Sequence, residues 1–287
     1  ANAVRYCKAV PLFVDADASW QMSVKAVTRW LEGTVPPLPR VLLPVHILGS
    51  GCDMPALMRV AHVRRLMVLE DASQAFGATI HGRPAGSYGD VAVLSFNANK
   101  TVGGAGGGML LTNSEGIAGR VRYLAWQARD GPGYIHQEVG YNYRMSDLQA
   151  AVILGQVERL EEILATKRAV AAAYQEALGG LDGVDFMPIP PWVAPSWWLW
   201  SLLLPSRGRQ RLQAALWAEG IESRPLWQPM HESPAHGGPC LEDGTVASWL
   251  YRRALCLPSS PGLGPEGARR VAEITRRIYL TGGKGEA

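Results

Sequence analysis

Four polar side chains follow two apolar segments in an arrangement that suits covalent chemistry on a carbonyl group. Asp71 and Gln74 follow the segment LMVLE, and Ser95 and Lys100 lie at the end of the segment DVAVLSF and just beyond it. Pyridoxal phosphate (PLP) chemistry requires a lysine that forms a Schiff base and an acid that keeps the pyridine nitrogen protonated. We therefore predict a PLP site that contains Lys100 and Asp71.

The elements that must position these side chains are short apolar strands between helices. Apolar segments in the first half of the chain cover residues 10–14, 40–48, 66–70, 90–96 and 108–112. Their alternation with helical patterns indicates βα units and a mostly parallel sheet that is buried on both faces. Open α/β sheets bind ligands at the carboxyl ends of their strands, which is where Asp71 and Lys100 fall.

The second half of the chain has a different organisation. Helical spacing of apolar residues predicts one long helix over residues 146–178, which Gly179 and Gly180 end, and a smaller α/β unit follows. We predict a large PLP-binding α/β domain over residues 1–165 and a small C-terminal α/β domain over residues 166–287. Because the chain starts at Ala1 without a methionine, we expect the large domain to be truncated at its N-terminus.

Composition excludes several classes of protein. The 287 residues are 47% hydrophobic and 18% charged, and 28 basic against 25 acidic residues leave a net charge of +3. This balance excludes a disordered chain and a dedicated nucleic-acid binder. No apolar run has the length of a membrane helix, and the cysteines form neither a zinc-like cluster nor a disulfide framework. We expect a soluble, cytoplasmic protein that binds no metal and no membrane.

Three common catalytic motifs are absent. Lys100 and Thr101 lack the preceding glycine of a phosphate-binding loop, and the glycines of GGAGGG do not have dinucleotide-binding spacing. His231 and His236 are five residues apart with Pro234 between them, so they cannot share a helical face as in a zinc protease. No G-x-S-x-G sequence indicates a serine hydrolase.

Several longer segments resemble one known family. They are PVHILG (44–49), EDASQAFGA (70–78), GDVAVLSFNANK (89–100), GGGML (106–110) and GYNYRMSDLQAA (140–151). Together they are similar to the DegT-type PLP-dependent nucleotide-sugar aminotransferases. The resemblance implies the fold type I architecture of PLP-dependent transferases, a mostly parallel sheet between helices with a smaller C-terminal domain. It also implies transfer of an amino group from an amino acid, L-glutamate, to a keto sugar in glycan biosynthesis.

The same resemblance implies a role for each residue around the cofactor. Lys100 would be the Schiff-base lysine and would later carry a proton between the cofactor and the sugar. Asp71 would pair with the pyridinium nitrogen. Gln74 would contact the phenolic oxygen or the ring face, and Ser95 would bind the phosphate. Asn142 would reach across a homodimer interface to the cofactor phosphate of the neighbouring subunit.

The resemblance also implies substrate contacts from Arg144, Trp227 and His231. RPLWQPMH (224–231) and LCLPSS (255–260) are similar to the branch that acts on UDP-linked 4-keto-6-deoxy-N-acetylhexosamines, as in bacillosamine-type synthesis. Other interpretations stay open, because Arg144 could pair with Asp147 at a helix start and His231 could be a structural loop histidine.

Further histidine, glycine and tryptophan residues fit structural roles. We interpret His46 as structural, and we expect the glycines after Lys100 to permit unusual backbone angles and not to bind phosphate. Trp197, Trp198 and Trp200 fit a core or an interface, and Trp227 is the tryptophan we expect nearest the ligand.

Two departures from the family pattern keep other functions open. The segment that binds the cofactor phosphate and stacks on its ring in the family would lie before Ala1. The related branch has Asn-Arg where this chain has Ser196 and Trp197. The alternatives are a non-catalytic or truncated homologue and another PLP reaction on a sugar nucleotide. Dehydration is disfavoured, because the family members that perform it replace the lysine with histidine and this chain keeps Lys100.

Overall fold

The computed structural model describes residues 1–33, 39–131, 133–205, 208–238 and 240–282. The helices are α1 (Asn2–Tyr6), α2 (Val24–Gly33), α3 (Met54–Arg64), α4 (Glu115–Ala125), α5 (Asp147–Val157), α6 (Leu160–Leu178), α7 (Gly208–Ala218), α8 (Thr245–Arg253) and α9 (Gly264–Gly282). Short 3-10 turns cover Met230–Glu232, Glu242–Gly244 and Pro261–Leu263.

The strands are short. In chain order they are β1 (Phe13–Val14), β2 (Val41–Leu42), β3 (Met67–Asp71), β4 (Thr79–Ile80), β5 (Arg83–Pro84), β6 (Val91–Ser95), β7 (Gly108–Leu111), β8 (Arg129–Asp130), β9 (Ile135–His136), β10 (Asp185–Phe186), β11 (Val193–Ala194), β12 (Trp200–Leu203), β13 (Arg224–Pro225), β14 (Cys240–Leu241) and β15 (Ala254–Leu257).

The central sheet has the strand order β2-β3-β6-β7. β2, β3 and β6 run parallel, and β3 and β6 align with Asp71 opposite Val93. β7 is antiparallel to β6, because the chain returns through the loop after Phe96 without a crossover helix. The predicted parallel arrangement of the segments around residues 70 and 92 is thus confirmed. The antiparallel hairpin of β6 and β7 at the sheet edge is a feature that the sequence pattern does not predict.

Two predicted strands are shorter in the structure than in the sequence pattern. Residues 40–48 form only β2 and one bridge between Val45 and Asp71, because Pro44 has no amide hydrogen for a ladder. Residues 10–14 contribute only β1, which pairs in parallel with β14 of the second half of the chain. The buried Asp15 follows β1, and its carboxylate accepts hydrogen bonds from the amides of Val246 and Ala247.

The single helix predicted over residues 146–178 is two helices. α5 and α6 are separated at Glu158 and Arg159, where the backbone of Arg159 leaves the helical region at φ −107° and ψ 17°. α5 packs against the loop after Lys100, since Gln156 pairs with both backbone groups of Gly103. α6 packs against α9 instead. Ile153 of α5 packs in the cluster around Phe96, whereas most buried residues of α6 pack in the cluster around Trp200.

The second half of the chain forms an antiparallel sheet with the order β10-β12-β15-β13, packed against α6 and α9. Tyr174 stacks on Trp200 in its core at a centroid distance of 4.6 Å. A boundary between residues 165 and 166 falls inside α6, and the predicted division into two domains stays a prediction. Among the described residues, no helix is long and apolar enough to cross a bilayer.

Candidate active site

The carboxyl ends of β3 and β6 carry the first two predicted site residues. Asp71 ends β3 and Ser95 ends β6, two parallel neighbours in the sheet. The Asp71 carboxylate accepts a hydrogen bond from the Ser73 amide at 3.0 Å, and its backbone amide donates to Pro44 at 2.9 Å. Bonds on both sides hold Asp71 in one orientation at the sheet edge.

The loop after β6 returns Lys100 to this edge. The amide of Lys100 donates to the carbonyl of Asn97 at 2.9 Å, and that of Gly104 donates to Phe96 at 2.8 Å. Gly107 has φ +93°, and a Cβ at Gly103 would lie 2.8 Å from the carbonyl oxygen of Ala98. Glycine meets each of these conditions without strain, so the predicted conformational role is confirmed at Gly103 and Gly107. That these glycines do not bind phosphate stays a prediction.

The ammonium group of Lys100 lies in a partly desolvated setting. Burial lowers the pKa of Lys100, and attraction to the Asp71 carboxylate partly offsets this effect by raising it. The pKa of Lys100 is lowered overall. The Nζ atom lies 3.8 Å from the centroid of the Trp198 indole ring. A lowered pKa increases the neutral amine fraction near neutral pH, and the neutral amine is the form that attacks a carbonyl.

Gln74 and Ser95 complete the group at the sheet edge. The Gln74 Oε1 atom accepts a hydrogen bond from the Leu48 amide at 2.9 Å, and its Nε2 amide is the group left to donate to a ligand. Ser95 Oγ accepts from Asn97 at 3.4 Å. An amine, a carboxylate, an amide and a hydroxyl at one edge form the donor set that PLP needs, so the residues present fit this cofactor.

Asn142 and Arg144 lie in a different setting, on the exposed loop that precedes α5. Asn142 forms an isolated bridge with Trp126 at the end of α4. The Arg144 guanidinium lies over the Trp126 ring at 5.3 Å, and no ion pair joins it to Asp147 in the described part of the chain. The alternative of a helix-start ion pair is therefore not observed, and both side chains face outward.

Trp227 and His231 differ in how near they lie to Lys100. Trp227, which is 52% exposed, stacks on Trp198 at a centroid distance of 5.7 Å, so it reaches the surroundings of Lys100. His231 contacts Ser248, its Nε2 atom lying 3.4 Å from the hydroxyl, and the backbone of Gly244 passes directly against its ring. These contacts match the interpretation of His231 as a structural loop histidine.

The residue before Asp71 faces the interior, since successive side chains of a strand point to opposite faces. The fully buried Glu70 carboxylate accepts hydrogen bonds from the amides of Gly86, Tyr88 and Gly89 at 2.9, 2.6 and 2.5 Å. It also lies 3.0 Å from Nε2 of His46. The structural role predicted for His46 is thus confirmed, and Glu70 anchors the strand end that carries Asp71.

The buried pair also fixes the segment between β2 and α3. The Cys52 amide donates to Nδ1 of His46 at 3.1 Å, so Nε2 carries the hydrogen that faces Glu70. Burial raises the pKa of Glu70, but the hydrogen bonds from His46, Gly89 and Gly86 outweigh it and lower the pKa below its usual value. Glu70 is therefore ionised in the folded protein at neutral pH.

We expect Glu70→Gln to destabilise the protein by about 3 kcal/mol at pH 7. The NH₂ group of the glutamine side chain would point at backbone N–H groups, and two donors cannot form a hydrogen bond with each other. The pKa of Glu70 is lower in the folded than in the unfolded protein. The ionised carboxylate therefore contributes fully to the free energy of unfolding above the unfolded pKa, and this contribution is lost as the pH falls through the folded pKa. Urea unfolding at pH 7 and in acid measures both effects.

The matched control is Glu162→Gln, which removes an exposed carboxylate paired with Arg159 on the surface of α6. This variant should unfold like the unchanged protein, since exposed pairs contribute little. Equal stability of the Glu70→Gln variant at pH 7, or a difference that grows in acid, would contradict the assigned role of the buried carboxylate.

Comparison with known proteins places this geometry in context. The model of the DegT/DnrJ/EryC1/StrS aminotransferase family matches residues 1–276. The GDP-perosamine synthase of Caulobacter vibrioides is 36% identical over 288 residues, which cover 98% of this chain and 76% of that protein. The UDP-N-acetyl-3-dehydro-alpha-D-glucosamine 3-aminotransferase of Acidithiobacillus ferrooxidans is 33% identical over 287 residues, covering 96% of this chain and 74% of that protein.

Solved structures agree with the sequence matches. The crystal structure of DesV from S. venezuelae in complex with a ketimine intermediate superposes with a TM-score of 0.86 at 32% identity. The superposition covers 97% of this chain and 74% of that one.

Proposed function

Because the chain belongs to the DegT/DnrJ/EryC1/StrS aminotransferase family, we propose that Lys100 is its cofactor-binding amine and Asp71 the carboxylate that holds the pyridine ring. The protein has the fold type I architecture and is a PLP-dependent aminotransferase that acts on a nucleotide sugar. The observation that carries the residue assignment is geometric: Asp71 ends β3, and Lys100 lies in the loop that follows the adjoining strand β6.

Bound PLP supplies an electron-accepting ring that stabilises negative charge at the carbon losing or gaining a proton. The Asp71 carboxylate, at the end of β3, would favour a protonated ring nitrogen. The free amine of Lys100 would hold the proton and move it between the reacting carbons. The partly buried position of its ammonium limits competing exchange with water.

Gln74 and Ser95 have supporting roles in this proposal. The Gln74 carboxamide is fixed through Leu48, so its Nε2 group can donate to the ring oxygen without rotating. Ser95 carries the hydroxyl at the end of β6, next to the loop that carries Lys100, and it would donate a hydrogen bond to the cofactor phosphate. One site then serves both half-reactions, and the donor, having given up its amino group, leaves as the 2-oxo acid before the keto sugar binds.

For the substrate, we propose a UDP-linked 4-keto-6-deoxy-N-acetylhexosamine, with L-glutamate as donor. The support is the likeness of RPLWQPMH and LCLPSS to the branch that uses such sugars. Trp227 lies in the first of these segments and presents an exposed indole beside the surroundings of Lys100. An exposed aromatic face suits stacking on a sugar or a uracil ring.

A substrate panel tests this choice. The enzyme is incubated with PLP, L-glutamate and 4-keto-6-deoxy sugars carried by UDP, GDP or dTDP, together with UDP-N-acetyl-3-dehydroglucosamine, and 2-oxoglutarate is measured. We expect kcat/KM for the UDP-linked 4-keto sugar to exceed the others by at least about tenfold, since a missing set of base contacts costs this much. A higher kcat/KM for a GDP-linked, dTDP-linked or 3-keto sugar would overturn the proposed substrate but not the aminotransferase activity.

We also propose a homodimer with a shared active site. Large apolar side chains are exposed from Tyr134 through β9 and the following loop to α5, including Tyr134 at 85% and Leu148 at 78%. The same surface carries the outward-facing Asn142. Exposed apolar groups in this number mark an interaction surface, and a second copy would bring Asn142 to its neighbour's cofactor phosphate.

We expect Leu148→Glu to convert a dimer into a monomer in sedimentation velocity, because it buries an unpaired charge in the proposed interface. The control is Trp217→Glu, which alters an exposed aromatic residue on α7 and should leave the dimer intact. If the unchanged protein is a monomer, the proposed dimer is excluded. If the Leu148→Glu variant is still a dimer, the interface lies elsewhere.

A further inference from the structure

The ammonium group of Lys100 contacts an aromatic ring, the indole of Trp198. Nζ of Lys100 lies 3.8 Å from the centroid of the Trp198 indole, within the distance of a cation–π contact. Trp198 is only 4% exposed. An ammonium group over an indole face that water does not reach is attracted more strongly than one at the surface.

The indole ring is itself held in place relative to the lysine. Its Nε1 group donates a hydrogen bond at 2.6 Å to the carbonyl oxygen of Asn99, the residue directly before Lys100. Trp227 stacks on Trp198 with an angle of 9° between the ring planes. The ring therefore cannot rotate without losing a hydrogen bond to the lysine's own loop and a stacking contact.

The backbone of Trp198 is fixed as well. The Lys167 ammonium, 3% exposed on α6, donates to the carbonyl oxygens of Trp198 at 3.2 Å and Ser259 at 2.8 Å. Burial lowers the pKa of Lys167 to about 8. Gly49 has φ +88°, and a Cβ there would lie 2.4 Å from the Trp198 nitrogen. Lys167 of α6 and Gly49 of the segment after β2 thus contact the Trp198 backbone and hold it in place.

We propose that Trp198 is a positioning residue, whose indole face holds the Lys100 ammonium at the carboxyl edge of the sheet beside Asp71. The inference rests on the proposed role of Lys100 as the cofactor-binding amine. A lysine side chain has four rotatable bonds and would otherwise sample many orientations. Holding it in one of them raises the rate of any reaction that needs the amine at a fixed point.

The first test observes the contact directly. Lysines of the full chain, freed of cofactor, are reductively dimethylated with ¹³C, and the Lys100 signal is identified by its absence in a Lys100→Arg variant. We expect its methyl protons upfield of those of the exposed lysines, because they lie over a ring face. The shift should persist in Trp198→Phe and disappear in Trp198→Leu. A Lys100 signal without the upfield shift in the unchanged protein overturns the inference, even if a variant fails to fold.

The second test measures the consequence. Stopped-flow absorbance follows the capture of added PLP by the cofactor-free chain across pH, and circular dichroism confirms that each variant is folded. Rates are compared on the alkaline plateau, where Lys100 is neutral in every variant and a change in its pKa does not alter the rate. We expect Trp198→Leu to slow capture by about tenfold and Trp198→Phe by less than about threefold, as a weaker ring contact remains. Equal slowing in both variants, or none in Trp198→Leu, contradicts a positioning role of the ring.

A Lys100→Ala variant separates this inference from the proposed function. If it still captures PLP covalently, the assignment of Lys100 fails, and the inference fails with it. If it captures none while Trp198→Leu behaves like the unchanged protein, only the role of Trp198 is overturned.

Discussion

Lys100→Ala is expected to reduce amino transfer by about 10⁴-fold or more, because it removes both the amine that binds the cofactor and the group that moves the proton. The same variant should hold no PLP covalently. Borohydride reduction followed by intact-mass measurement detects the covalent adduct on the unchanged protein and its absence on the variant. Initial rates with glutamate and the keto sugar measure the loss of turnover.

Two controls distinguish the amine from its charge. Lys25→Ala removes an exposed ammonium on α2 and should change neither adduct nor rate. Lys100→Arg keeps a positive charge over the Trp198 ring but supplies no amine that can attack, so it should be as inactive as the alanine variant. A reduced adduct on the Lys100→Ala variant would show that another lysine binds the cofactor.

Asp71→Asn is expected to reduce kcat by about 10²- to 10⁴-fold, since a neutral amide cannot hold a proton on the ring nitrogen by its charge. The variant should still capture PLP, because Lys100 is intact. The effect on Lys100 has a definite sign. Asp71 raises the pKa of Lys100 against burial, so its removal should lower that pKa further. The pH profile of capture should then shift toward acid.

Asp185→Asn is the matched control, because it removes an exposed carboxylate on β10, far along the chain from the sheet edge. It should leave both the rate and the pH profile unchanged. An Asp71→Asn variant with normal kcat, or a capture profile shifted toward alkaline pH, would contradict the assignment of Asp71.

The predictable part of the site depends on local pattern. Asp71 and Lys100 could be found because Asp71 ends one short apolar strand and Lys100 lies in the loop after the next, and parallel strands bring their carboxyl ends to one edge. The glycines after Lys100 were predictable for the same reason, since a return loop that tight needs positive φ angles. Residue type and spacing within a few positions carried this information.

Other features depend on contacts between distant segments. The contact between Trp198 and Lys100 joins the small unit to the loop after β6, and no periodicity in either segment indicates it. The break between α5 and α6 has no proline or glycine at Glu158 or Arg159, so no residue type at the junction indicates it. The pairing of β1 with β14 is equally non-local.

The pairing of β1 with β14, with the Asp15 carboxylate on the amides that begin α8, makes the architecture interlaced. Residues 13 and 14 thus complete a sheet with residues 240 and 241, which are synthesised much later. A ribosome-bound chain must therefore keep this segment unpaired until β14 has emerged. Severing the backbone inside α6 would yield halves that each lack a strand, suited to reassembly as complementing pieces and poorly suited to separate existence.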